Sequence, residues 1–335
     1  MLRLTRTCVW LSVFATALVF QANAQSTTHA FLWSTKTGMQ DLGSLGGSSN
    51  AYGINYAGQV VGSYESGDTL RAFLWTKSGG MQDLGTLGGD YTAAAGINSA
   101  GQVVGAASTV SGNVHAFLWT AAAGMQDLGT LGGTYSDAAA INNQGDISGT
   151  SSRAGDTRYV AYFRTPAKGM TGLGTLGSQY SYGYAINAAG TVVGASPLNK
   201  TLTPNHAFIR RKGSHLIDLG TLGGDDSTAL GINQSEQVVG WSSFSGGYPG
   251  EAFLWTAVSG MQYLGNLGGL TSAAQAINRK GVIVGFSDLS QTGVTHAVMW
   301  TAPNQMQDLG TLGGNYAVAK GINDRGQVVG WSTLP

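Results

Sequence analysis

Residues 116–149 read AFLWTAAAGMQDLGTLGGTYSDAAAINNQGDISG, and variants of this stretch fill nearly the whole chain. The Ala that opens it recurs as Ala30, Ala72, Ala116, Ala161, Ala207, Ala252 and Ala297. Successive spacings are 42, 44, 45, 46, 45 and 45 residues, about one supersecondary unit each. Self-similarity at this period marks a repeat architecture, in which no unit can bury its apolar face alone. Each repeat holds four short apolar runs, for example Ala72 to Trp75, Met81 to Leu84, Ala94 to Asn98 and Gln102 to Gly105. Runs this short, rich in Val, Ile, Phe and Trp and bounded by Gly, Asn and Ser, are strands. No window sustains a helical period, so the chain is expected to be all-β.

The turns pair these runs. Asn55, Asn98, Asn142, Asn187, Asn233, Asn278 and Asn323 each follow an Ile, and a Gly follows in every repeat but the fifth, where Glu236 stands. An Asn able to close an Asx turn, ahead of a Gly able to take φ > 0, is hairpin chemistry, so the seven Asn are read as turn formers. The residues one and three places before each of those Ile are always Gly or Ala, as in Gly53 with Ala51 and Ala140 with Ala138. Read as period-two alternation, this keeps one face minimal, as the crowded innermost strand of a blade needs. The expected order from the inside out is the Ile-Asn run, Gln-Val-Val, Ala-Phe-Leu-Trp and Met-Gln-Asp-Leu.

Four antiparallel strands per repeat and seven repeats fit a seven-bladed β-propeller. The chain begins with the two outer strands of a blade, near Ala30 and Met39, and ends with two inner ones, near Ile322 and Val328. The termini are therefore expected to share one blade, leaving no free strand edge.

Residues 1–24 read as a signal peptide: Arg3 and Arg6, a short apolar stretch from Thr7 to Phe20, then Ala22-Asn23-Ala24, with cleavage after Ala24. Residues 25–335 form a single propeller domain on this reading, secreted or periplasmic, monomeric and without stable membrane insertion. The one cysteine, Cys8, falls in the leader, so the mature domain has no disulfide. Charge is sparse and balanced, with 17 basic and 17 acidic residues. Such a balance offers no basic face for nucleic acid.

The motifs HAFLW, GMQDLGTLGG, GIN and GQVVGWS resemble the bacterial extracellular HAF-repeat family over residues 29–332. The resemblance implies an exported repeat protein and carries over no catalytic residue. The fourth repeat departs most, with Val160, Tyr162, Arg164 and Gly172 at motif positions.

His29, His115, His206 and His296 start the third strand of different blades, so no metal site is expected, and no cofactor. Asp41, Asp83, Asp127, Asp218 and Asp308 on the outer strand are read as solvated or turn-capping, and the recurrent Trp as packing between blades. The variable inner-strand residues Tyr52, Ala95, Ala139, Tyr184, Leu230, Gln275 and Lys320 include no carboxylate or histidine. No nucleophile-elbow, zinc-protease or phosphate-loop motif occurs either. Candidate ligand-binding residues are those of the loops entering the inner strands: Asp90, Tyr91, Tyr135, Tyr180, Tyr182, Asp225, Asp226, Asn315 and Tyr316. Tyrosine beside Asp or Asn suits sugars and peptides. The expected function is a non-catalytic binding or scaffold module for an extracellular glycan or envelope protein. A propeller hydrolase or lyase acting on an extracellular polymer is the alternative.

Overall fold

The computed structural model describes residues 27–199, 203–245, 247–290 and 293–335. The leader and Cys8 lie outside them. Among the described residues every regular element is a strand, twenty-eight in all. Their antiparallel pairings group them into units of four, numbered here from first to seventh by their Ala-Phe-Leu-Trp strand; the parallel bridges Leu70↔Tyr91 and Val114↔Tyr135 join the second, third and fourth units into one twelve-stranded sheet. The second unit shows the pattern: Ser49–Ile54, Val60–Ser66, Thr69–Thr76 and Gly80–Asp83 pair in that order. In the first unit Thr28–Ser34 pairs with Gly38–Asp41 on one side and with Val328–Thr333 on the other, from Thr28↔Thr333 to Trp33↔Val328. Ala317–Ile322 completes that sheet, so both ends of the chain meet in one four-stranded unit.

The Ile-Asn strands pack against one another from unit to unit, and Ala317–Ile322 packs against Ser49–Ile54. They are innermost, as their small residues require. The period-two reading of those residues needs correction, however. In all seven units the ladder is interrupted between the two small positions, as at Ala51/Gly53 and Ala138/Ala140. The residue between them, Tyr52 or Ala139 here, is the extra residue of a β-bulge and leaves the pleat. The second small residue is small because the next unit's backbone is close. A Cβ on Gly53 would stand 3.1 Å from the Ala95 carbonyl oxygen, and one on Gly231 3.2 Å from Ala276 Cα.

Each turn Asn does two things. Its Oδ1 accepts turn amides, as Asn187 does from Ala189 and Thr191 at 3.0 Å each. Its Nδ2 donates across the seam to the backbone carbonyl of the next Asn. The bonds run Asn55 to Asn98, Asn142, Asn187, Asn233, Asn278 and Asn323, then from Asn323 back to Asn55, all at 3.0–3.2 Å. Turn chemistry alone accounts for the Oδ1 half. The Nδ2 half ties the sheets together. Asn187 is 1% exposed, so Asn187→Ala orphans buried groups on both sides of a seam. A loss of about 2–4 kcal/mol is expected, read as a shift in the urea midpoint; a shift below about 0.5 kcal/mol would show the seam bond to be idle.

The core lies between the sheets. Val61, Ala72 and Leu74 of the second unit cluster with Ala94, Val103 and Phe117 of the third, with Trp119 packed on them. Trp300 is fully buried in the corresponding cluster of the sixth and seventh units. At one end of five of the seams a serine of the next inner strand caps the third strand: Ser49, Ser136, Ser181, Ser227 and Ser272 Oγ accept the amides of Ala30, Ala116, Ala161, Ala207 and Ala252.

The histidines and outer aspartates are partners, which the reading of each as a separate polar residue missed. His29, His115, His206 and His296 place Nδ1 2.8 Å from Asp41, Asp127, Asp218 and Asp308. The same carboxylates cap the amides of Gly43, Gly129, Gly220 and Gly310, whose positive φ the Asp-Leu-Gly turn needs. In the second unit Arg71 takes the histidine's place against Asp83. Where the cation goes, its acid goes too: Val160 is matched by Gly172, and Glu251 by Tyr263.

Candidate functional site

The strand ends define two faces. One carries the loops that enter the inner strands and those joining the second strand to the third. The other carries the Asn turns. Between them the bulged residues Tyr52, Ala95, Ala139, Tyr184, Leu230, Gln275 and Lys320 stand on the innermost strands. Lys320 Nζ donates to Gln275 Oε1 at 3.2 Å, one unit away. Burial pulls this ammonium down to about 8 and pushes the Tyr52 phenol up to about 12.

On the first face the nine candidate residues divide. Asp90, Asp225 and Asn315 are exposed, whereas Tyr91, Tyr135, Tyr180, Tyr182, Asp226 and Tyr316 are half-buried. Asp226 accepts the Asn205 amide at 2.9 Å and anchors a loop. Tyr316 stacks on Trp331 at 5.2 Å, against its own sheet. Burial pushes Tyr91 well above the ordinary phenol range. These residues do not converge on one place.

Tyr135, Tyr180 and Tyr182 do converge, where the fourth and fifth units meet. Tyr135 contacts Tyr159 edge-on, with ring centroids 5.8 Å apart, and Tyr159 stacks on Tyr180 at 6.5 Å. Tyr182 stacks on Tyr184 at 6.5 Å. The Tyr182 phenol is pushed up to about 12, by burial first and then by Tyr180 and Tyr159. Five rings thus run from the surface to the innermost strand. At the inner end lies Asp137, 2% exposed, accepting the Tyr135 hydroxyl at 2.8 Å and the Thr150 amide at 3.2 Å. Burial, Tyr182 and the Asp137 charge together raise the Tyr184 phenol. At the outer end Asp156 accepts the Thr134 amide and hydroxyl at 2.8 and 2.9 Å, pinning the loop before Tyr135.

Tyr159, Tyr184 and Asp137 were not among the loop candidates. Tyr159 opens a third strand and Asp137 sits inside an inner one, so a search of loops alone passes them over. The signal available was the aberrant fourth repeat, which holds both. Chemically, the arrangement offers flat rings, hydroxyls kept protonated and one buried carboxylate. That set binds by stacking and hydrogen bonding. Among the described residues no group of three or more His, Cys, Asp or Glu is placed to hold a metal.

No family model and no curated protein matches the chain. Among solved structures it is similar to TolB from Acinetobacter baumannii, with 13% identity and a TM-score of 0.48 over 70% of this chain. The match spans 62% of the TolB chain. It is also similar to a gluconolactonase from Xanthomonas campestris, with 13% identity and a TM-score of 0.43, covering 82% of this chain and 95% of that one. No helix among the described residues is long and apolar enough to cross a membrane.

Proposed function

We propose that the chain is an exported, seven-bladed β-propeller closed by the blade its termini share, and that it is a binding module for an extracellular polysaccharide. The leader-like residues 1–24 and the resemblance to HAF-repeat proteins support export. The pairing of Thr28–Ser34 with Val328–Thr333 and the head-to-tail Asn bonds support closure. The observation that carries the ligand class is the tyrosine row Tyr135–Tyr159–Tyr180 above Asp137. The three rings form one aromatic cluster whose outward edges and faces can pack on sugar rings.

The same face supports a second reading, an envelope protein as partner. It carries Leu45, Val110 and Leu270 at 50%, 85% and 69% exposure, which gives a protein partner apolar contacts that a sugar polymer does not use.

Tyr159→Ala combined with Tyr180→Ala tests the glycan reading. In a glycan array with residues 25–335, the wild type is expected to retain a polysaccharide class. The double variant should lose at least tenfold in affinity, about 1.4 kcal/mol, with the melting temperature within a few degrees of wild type. Retention of no glycan, together with a cross-linked envelope protein lost on Leu270→Asp, would transfer the function to the protein partner.

A further inference from the structure

The opposite face holds a different kind of site. The Asn turns surround a cavity of about 470 Å³, lined by every turn Asn but Asn187, by the Ile before each turn Asn and by the residue after it. Each Asn Nδ2 gives one hydrogen across its seam, and those of Asn55, Asn98, Asn142, Asn233 and Asn323 give the other to the Gln or Asp four residues on, so these five side chains are not the available donors. The backbone amides of the residues after them are different. Ser99 N–H donates to Asn143 Oδ1 at 2.9 Å, Ala188 N–H to Gln234 Oε1 at 3.0 Å, and Arg279 N–H to Asp324 Oδ1 at 3.0 Å. In each case the acceptor is the equivalent residue of the next unit.

These three seams show what the position accepts: an oxygen, placed by the neighbour. The other four cannot be filled in this way. The residues following Tyr56, Asn143, Gln234 and Asp324 around the ring are Ser99, Ala188, Arg279 and Tyr56, which are too short or lack an amide or carboxylate oxygen. Six turns share one pattern, in which Asn Oδ1 accepts the amides two and four residues on, so the Asn143, Gln234 and Asp324 amides are placed as the first three are; at Asn55 only the Gln59 amide is held this way. No protein acceptor faces any of the four among the described residues. The mouth is also electropositive. The charged residues lining the cavity are Arg279 and Asp324; Lys280 and Arg325 follow them in the chain, and the one further turn acid at the third place, Glu236, is paired with Arg211. Asp324 is already held by the Arg279 amide and, at 3.5 Å, by its guanidinium. Arg325 lies 4.3 Å over the exposed Tyr56 ring at the seam where two uncapped amides, Asp324 and Tyr56, are neighbours.

We propose that this mouth binds a small multivalent oxyanion, a di- or tricarboxylate or a pyrophosphate, through the backbone amides of Tyr56, Asn143, Gln234 and Asp324, with Arg279 and Arg325 alongside. Backbone N–H groups at the wall of one concavity favour negative charge without any lysine or arginine having to be desolvated. Four donors spread around the mouth suit several oxyanion groups rather than one. The site is independent of the tyrosine row at the other face.

The chain itself supplies the test, because Asn143 shows how a seam is capped. Ser99→Asn and Ala188→Asn put the same side chain at the two neighbouring positions, where it takes the Tyr56 and Asn143 amides. By calorimetric titration at low salt, citrate or pyrophosphate is expected to bind the wild type, and acetate at least tenfold more weakly. The Ser99→Asn/Ala188→Asn variant should bind at least tenfold more weakly than wild type while melting at the same or a higher temperature. Citrate without pyrophosphate assigns the site to carboxylates, and the reverse to phosphates. Binding of neither, or binding indifferent to the added asparagines, overturns the proposal.

Discussion

Deletion of residues 317–335 is expected to abolish cooperative unfolding rather than lower its midpoint. The segment carries two strands of the first sheet. Its loss strips Thr28–Ser34 of the partner it pairs with from Thr28↔Thr333 to Trp33↔Val328. It also removes Asn323, which bonds to the Asn55 carbonyl at 3.0 Å and accepts the Nδ2 of Asn278 through its own. Val328, Ala317 and Ala319 leave the cluster around Phe31 and Trp33 at the same time. Two seams open together, and an exposed strand edge in a chain without disulfides invites pairing with other molecules. Circular dichroism against urea should show a broad transition, and size exclusion should show self-association. A truncated chain that melts sharply as a monomer would mean that the shared sheet contributes little to closure.

The second large effect belongs to Lys320. Its ammonium is lowered to about 8 by burial, against about 10.4 in an unfolded chain. Between those values the unfolded chain holds more protons than the folded one. Stability therefore rises with pH across that window and carries the full penalty below pH 8. Lys320→Met removes the penalty. At pH 7 the variant is expected to gain as much as about 3 kcal/mol, less whatever the bond to Gln275 contributes. Near pH 10.5 the gain should vanish. Urea midpoints at the two pH values decide it: a difference that does not change with pH would show that the ammonium is not held in a poorly solvated place.

Much of this molecule is written locally in its repeat. Short apolar runs set the strands, Ile-Asn ahead of a Gly sets the hairpin, and the phase of the repeat sets which strands the termini contribute to the first sheet. These follow from the backbone preferences of a few neighbouring residues. Even the small residues of the innermost strand and the crowding behind them were legible, although the bulge between them was not. Gly53 faces the Ala95 carbonyl of the next unit, and the bulge that sets Tyr52 outside the ladder register obeys no period that side-chain alternation reveals.

What the tertiary structure decided are contacts between chain segments that are not neighbours in the pattern. His29 meets Asp41 because the third and outer strands pair in one register, and the matched changes Val160 with Gly172 and Glu251 with Tyr263 were the trace of it in the chain. Asn55 reaches Asn98 across 43 residues because two separate sheets pack side by side at one angle. Tyr135, Tyr159, Tyr180, Tyr182 and Tyr184 come from two units and four strands or loops, and the packing of those units brings Tyr180 to Tyr159 and Tyr184 near the Asp137 charge. Hydrogen bonding along the chain is local and repeats with the sequence. The packing angle between sheets is set by all the side chains in a seam at once, and no single stretch encodes it.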